Sequence, residues 1–162
     1  MKAFFKKLKY TPHEIADAIV IDLINLFEKI NFLYRKFTGK YFFLKKNKIL
    51  KNTHKEERIF ILGNAPSLNN FDLKKLKNEI IIMVNRSFDH PDYEIIKPKY
   101  HIFVDPKLAT GVWPLSYIDE IYKKNPNVKL IFNSEWYYLE KFKEFRDKKN
   151  VFWVKSKSIS LL

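Results

Sequence analysis

The 162-residue chain contains no cysteine. That excludes a disulfide framework, thiolate metal sites and cysteine nucleophiles, and it fits a reducing compartment. An uninterrupted apolar run long enough to cross a bilayer is also missing. The longest candidate, Ala16 to Phe27, is broken by Asp17, Asp22 and Asn25, and the basic start Met1-Lys2-Ala3-Phe4-Phe5-Lys6-Lys7 is not followed by a signal-peptide core. The expectation is a cytoplasmic protein, at most peripheral at a membrane surface. No internal repeat, low-complexity tract, nucleophile elbow, phosphate-binding P-loop or zinc spacing is present. His13, His54, His90 and His101 are too dispersed for a metal pattern. Asp89 and Asp92 are not a metal-holding aspartate pair with one residue between, so metal-independent chemistry is expected.

Acidic residues are scarce relative to basic ones: 18 Asp and Glu against 31 Lys and Arg, a formal charge of +13. The surplus is uneven, since residues 1–58 carry 14 basic and 6 acidic side chains. Such a surface implies an anionic partner, whether nucleic acid, lipid headgroups or a phosphorylated or acidic-sugar substrate. Apolar material is plentiful at 46% of residues, with 17% aromatic, which excludes disorder of the whole chain and suits one packed domain.

Two segments differ in character. Residues 1–57 read as helical and basic. Thr11-Pro12-His13-Glu14 combines a cap, a proline suited to the first helical turn and the glutamate of a capping box. Behind it Ile15, Ala18, Ile19, Leu23, Leu26, Ile30, Leu33 and Phe37 recur at three- and four-residue steps as one apolar stripe, which predicts a helix stopping near Thr38-Gly39. That stripe suits packing against the sheet domain or a partner subunit. The alternative is contact with anionic lipid, helped by Lys45-Lys46-Asn47-Lys48 and opposed by Asp17, Asp22 and Glu28.

Residues 58–162 alternate strands and helices. Arg58 to Leu62, Ile80 to Val84, Tyr100 to Val104, Lys129 to Phe132 and Val151 to Val154 have the length and composition of buried strands. Helical patterns lie between them at Asp72 to Lys77, Ser116 to Lys124 and Glu135 to Phe145. The predicted fold class is α/β: a Rossmann-like parallel sheet with crossover helices, preceded by the amphipathic helical segment.

In such sheets ligands bind beyond the carboxyl ends of the strands. The first strand runs into Gly63-Asn64-Ala65-Pro66-Ser67-Leu68. Gly63 permits close backbone approach, Asn64 offers amide donor and acceptor groups, and Pro66-Ser67 opens a helix with free N–H groups and a hydroxyl. This pattern reads equally as an anion or nucleotide loop and as an ordinary strand-to-helix turn.

With Phe71-Asp72-Leu73-Lys74-Lys75-Leu76 and Ile82-Met83-Val84-Asn85-Arg86-Ser87-Phe88 following it, this loop resembles the opening of the bacterial lipooligosaccharide sialyltransferases. It also resembles wider glycosyltransferase-like relatives, among them flagellin-glycosylation and pterin-diphosphokinase proteins. The resemblance covers roughly residues 58–140. It implies a domain binding a CMP-sugar donor as substrate, with no separate cofactor, in the synthesis of a bacterial surface glycan such as lipooligosaccharide or capsule. Gly63, Asn64, Ala65, Ser67, Asn85 and Asp105 would line the nucleotide-sugar site, a glycan would be the acceptor, and contact with the inner membrane would be peripheral. Ala65 stands where the family has glycine, and Asp105 where it has an amide. The second glycine-containing unit, the phosphate-contacting tyrosines and the catalytic base of those enzymes have no counterpart here, so the catalytic residues are unassigned and truncation of the domain is expected. Two alternatives stand beside this reading: a basic adaptor for membrane or nucleic acid, with nucleic acid not favoured, and a pterin diphosphokinase-like relative.

Two smaller readings complete the sequence. Asp89-His90-Pro91-Asp92 is taken as a solvated turn, the alternative being a carboxylate–histidine acid–base cluster. Trp113, Trp136, Tyr137 and Tyr138 are taken as core, with stacking on a sugar or base as the alternative.

Overall fold

Five short runs rich in Ile, Val and Phe pair side by side in the order in which they occur. In the computed structural model, which describes residues 11–155, they form strands β1 (Ile59–Leu62), β2 (Ile80–Val84), β3 (Tyr100–Phe103), β4 (Lys129–Asn133) and β5 (Val151–Val154). All neighbours are parallel, and the sheet order is β1-β2-β3-β4-β5. The α/β parallel-sheet class read from the sequence is the class observed. The order advances one strand at a time from edge to edge, without the reversal that makes a doubly wound sheet. Right-handed crossovers in such an order send every connection over the same face.

Burial follows that rule. Register aligns Met83, His101, Leu130 and Val151 in one row across the sheet, and Phe103, Phe132 and Trp153 in the next. Every one of these side chains is at most 1% exposed. Aromatic rings fill the layer: Phe132 lies 5.4 Å from both Phe142 and Trp153 by ring centroid, and 6.0 Å from Phe103. Tilted and edge-to-face contacts of this kind add to the area term of burial. On the opposite face Tyr100, Ile131 and Phe152 form a smaller cluster with Leu50 packed against it. Ile61, at the β1 edge of that face, remains 70% exposed.

The connections are tighter than the sequence pattern indicates. The helical pattern at Ser116 to Lys124 is an α-helix with those bounds, but Asp72 to Lys77 yields only a 3-10 helix over Leu73–Leu76. The stretch from Glu135 to Phe145 breaks into two 3-10 helices, Ser134–Tyr138 and Glu140–Phe145. Leu139 between them is extended (φ −71°, ψ 134°). Two further one-turn helices, Tyr93–Ile96 and Pro106–Thr110, lie in the connections, and the turns leaving β1 and β2 are 3-10 helices at Pro66–Asn70 and Asn85–Asp89.

The chain divides into two units, Met1–Phe43 and Leu44–Leu162. In the first, helix α1 (Pro12–Phe37) starts as the capping box requires: the Thr11 N–H donates to Glu14 Oε2 at 2.6 Å and the Glu14 N–H to Thr11 Oγ1 at 3.3 Å. It ends at Gly39, whose φ of +74° suits glycine. In the second unit, Lys46 and Asn47 are not a free basic stretch. Lys46 Nζ donates to the Val151 carbonyl at 2.8 Å, and Asn47 Nδ2 donates to the Trp153 carbonyl at 2.7 Å. They occupy acceptors of the edge strand β5, a surface that otherwise invites another chain. Burial lowers the Lys46 pKa. Among the described residues no helix is long and apolar enough to cross a membrane.

Candidate functional site

The turns leaving β1 and β2 meet at the carboxyl edge of the sheet and enclose a pocket of about 300 Å³. Asn64, Ala65 and Pro66 are among the residues lining it from the first turn, and Arg86, Ser87, the carboxylate of Asp89 and His90 line it from the second. Of the residues predicted from the sequence, Asn64 and Ala65 are therefore pocket-lining. Gly63, Ser67, Asn85 and Asp105 lie in or beside the same turns without lining it.

Asn85 has a structural task. It sits in the left-handed region (φ +54°), uncommon for a residue other than glycine and enriched for asparagine. Its Oδ1 accepts the N–H groups of Val104 and Asp105, at 3.1 and 3.2 Å, which ties the end of β2 to the end of β3. Its carbonyl accepts from His101 Nε2 at 2.8 Å. Asp105 caps the short helix Pro106–Thr110, accepting the Lys107 N–H at 2.9 Å. Gly63 has no positive φ, and a Cβ placed on it would meet nothing within 4 Å. The fold itself does not require glycine there.

His101, fully buried in β3, anchors this arrangement from below. Its Nδ1 meets the Tyr93 hydroxyl at 3.2 Å. Burial pushes its pKa down to about 4, against the smaller upward pull of the Asn85 carbonyl. A neutral ring with its proton on Nε2, donating to Asn85 and accepting from Tyr93, satisfies both bonds.

His90 differs. It is only 5% exposed, although Asp89 and Pro91 on either side of it are exposed, so the turn is solvated as expected except at the histidine itself. Its Nδ1 accepts the Asp92 N–H at 3.1 Å, so the neutral ring carries its proton on Nε2. That Nε2 is buried with no hydrogen-bond partner among the described residues. A buried donor left unpaired costs roughly 1–3 kcal/mol, and here it belongs to a residue lining the pocket. Arg86 supplies the charge at the rim. Its guanidinium is half-exposed, donates to Asp89 Oδ2 at 3.0 Å from Nε, and lies 5.7 Å from the Tyr117 ring centroid. The hydrogen bond to Asp89 holds its pKa above the ordinary arginine value. Ser87 Oγ accepts the Val84 N–H at 2.9 Å, leaving its hydroxyl proton free to donate elsewhere.

Sequence reasoning quoted Arg86 and Ser87 inside the motif without assigning them a role, and set His90 aside. The only available signal was their place just after a strand. Trp136 and Tyr137 are core, as expected, whereas Tyr138 is 49% exposed. His54 ties its loop to the other face of the sheet, with Nε2 2.8 Å from the Tyr100 hydroxyl and Nδ1 2.5 Å from Glu57 Oε2. Among the described residues there is no group of three or more His, Cys, Asp or Glu side chains placed to hold a metal ion. Comparison with protein-family models, curated proteins and solved structures finds no match to this chain.

Proposed function

We propose that the pocket between the β1 and β2 turns receives the phosphate of a nucleotide-linked sugar, and that the chain is a donor-binding domain of sialyltransferase-like type. The observation that carries this reading is the buried, unpartnered Nε2 of His90 in a pocket that Arg86 also lines. A phosphate oxygen supplies the acceptor that the one lacks and the charge that the other attracts. Asn64 and the backbone of the first turn add neutral donors at the carboxyl edge of the sheet. The formal charge of +13 favours an anionic ligand in general.

In transfer from such a donor, the acceptor oxygen forms a bond to the anomeric carbon while the bond from that carbon to the phosphate oxygen breaks. The electron pair leaves with the nucleotide. Arg86 and His90 would stabilise the charge that develops on the departing phosphate. With Nδ1 committed to the Asp92 amide, His90 is a donor and is unsuited to removing the acceptor's proton. The acceptor, a glycan hydroxyl, and the base that deprotonates it are not assigned to residues of this pocket.

Calorimetric titration of the chain with CMP, a CMP-linked sugar, UDP and inorganic phosphate tests the reading. Cytidine ligands are expected to bind more tightly than phosphate, and R86A and H90F each to weaken binding about tenfold or more. Binding to anionic vesicles that collapses with salt, together with no response to any nucleotide, would overturn it in favour of a basic adaptor.

A further inference from the structure

Six apolar side chains of α1 keep a seven-residue repeat over nearly three heptads, while Ile21 and Ile24, 49% and 48% exposed, fall outside it. Taking Leu23 and Ile30 as a positions puts Ile19, Leu26 and Leu33 at d and Phe37 at the next a. These six side chains are between 53% and 94% exposed, and Phe27 and Tyr34, at e, are 69% and 61% exposed. A different face of the helix is used within its own unit: Phe32 stacks on Tyr41 at 5.5 Å, and Arg35 donates to the Tyr41 hydroxyl. At about 100 Å² of surface per residue, the six that meet one another in the pairing below, Ile19, Val20, Leu23, Leu26, Phe27 and Ile30, offer on the order of 600 Å² per chain, one side of a small specific interface.

We infer that this seam pairs antiparallel with α1 of a second copy of the chain. Charge selects the partner and the direction. The helix carries four acidic and three basic residues, so it lacks the basic face with which surface helices bind anionic lipid. Of the acidic side chains, Glu14, Asp17 and Asp22 lie in its first half and Glu28 in its second, where all three basic residues lie. Antiparallel pairing that sets Leu23 against Leu26 of the second copy, and Ile19 against Ile30, brings Asp22 beside Lys29 at both ends of the seam. Both are g positions, which face one another in that arrangement. Val20 then meets Phe27 across the e positions, extending the apolar stripe, and the two helix dipoles oppose. A parallel pair would set Asp22 beside Phe27 and form no ion pair.

Sedimentation equilibrium of the full chain from about 1 to about 100 µM at low salt is the test. The wild type is expected to reach a dimeric mass. D22K alone, and K29D alone, place like charges together twice per dimer and should raise the dissociation constant about tenfold. The double variant D22K/K29D exchanges the signs and should return to within about twofold of wild type. All three changes sit on the helix surface, and circular dichroism confirms that each variant is folded. A monomer throughout the range overturns the pairing. Equal dissociation constants for D22K and the double variant overturn the antiparallel direction. Loss of the dimer on binding to phosphatidylserine vesicles would assign the seam to lipid instead.

Discussion

Acidification from pH 7 to pH 4 protonates His101 in the unfolded chain well before it does so in the folded one. The ring is fully buried, its Nε2 donates to the Asn85 carbonyl at 2.8 Å, and burial holds its pKa at about 4 against an ordinary value of 6.5. Between those two values the unfolded state binds the proton and the native state refuses it. Stability is therefore complete above about pH 6.5 and falls as pH drops toward 4, with a limiting slope of 1.36 kcal/mol per pH unit. Over the whole interval the loss is about 3 kcal/mol, a large share of a small domain's stability. Urea unfolding of wild type and H101Q at several pH values between 4 and 7.5 isolates this contribution, because glutamine keeps an amide donor without a titrating ring. The difference between the two curves should shrink as pH falls through the window. Parallel curves for the two proteins would refute the assignment of His101 as a neutral anchor.

Other substitutions probe the same corner of the sheet. N85G should lose the bridges to Val104 and Asp105, at a cost of roughly 1–2 kcal/mol by urea unfolding, and N85A should cost about 1 kcal/mol more because its φ is +54°. G63A should leave stability within about 0.5 kcal/mol, since a Cβ there meets nothing, yet weaken nucleotide binding if the ligand approaches that backbone. F132A, removing the ring at the centre of the aromatic layer, should cost about 3–5 kcal/mol.

Much of the framework was legible before the coordinates. Each strand was readable because β-branched and aromatic runs of four or five residues admit little else between turn signals, and α1 was readable from Thr11, Pro12 and Glu14 to Phe37. The connections were less so. Whether Glu135 to Phe145 forms one α-helix or two 3-10 helices depends on how Trp136, Phe142 and Phe145 pack on the sheet, which no local periodicity encodes. The same holds for Lys46 and Asn47, whose role at the β5 edge appears only when residues more than a hundred positions apart are brought together. At the candidate site, Asn64 and Ala65 could be found from the strand-to-turn pattern. His90 could not, because its burial depends on the β1 turn folding over it.

The central claim is that His90 presents a donor to a phosphate in this pocket, and the ring nitrogens report on it directly. Long-range proton–nitrogen spectra of the histidines, recorded before and after addition of CMP or a CMP-linked sugar, should show His90 protonated on Nε2 and shifted by the nucleotide. His101, outside the pocket, should remain unchanged. A His90 ring protonated on Nδ1, or one whose Nε2 signal stays still at saturating ligand, would contradict the account.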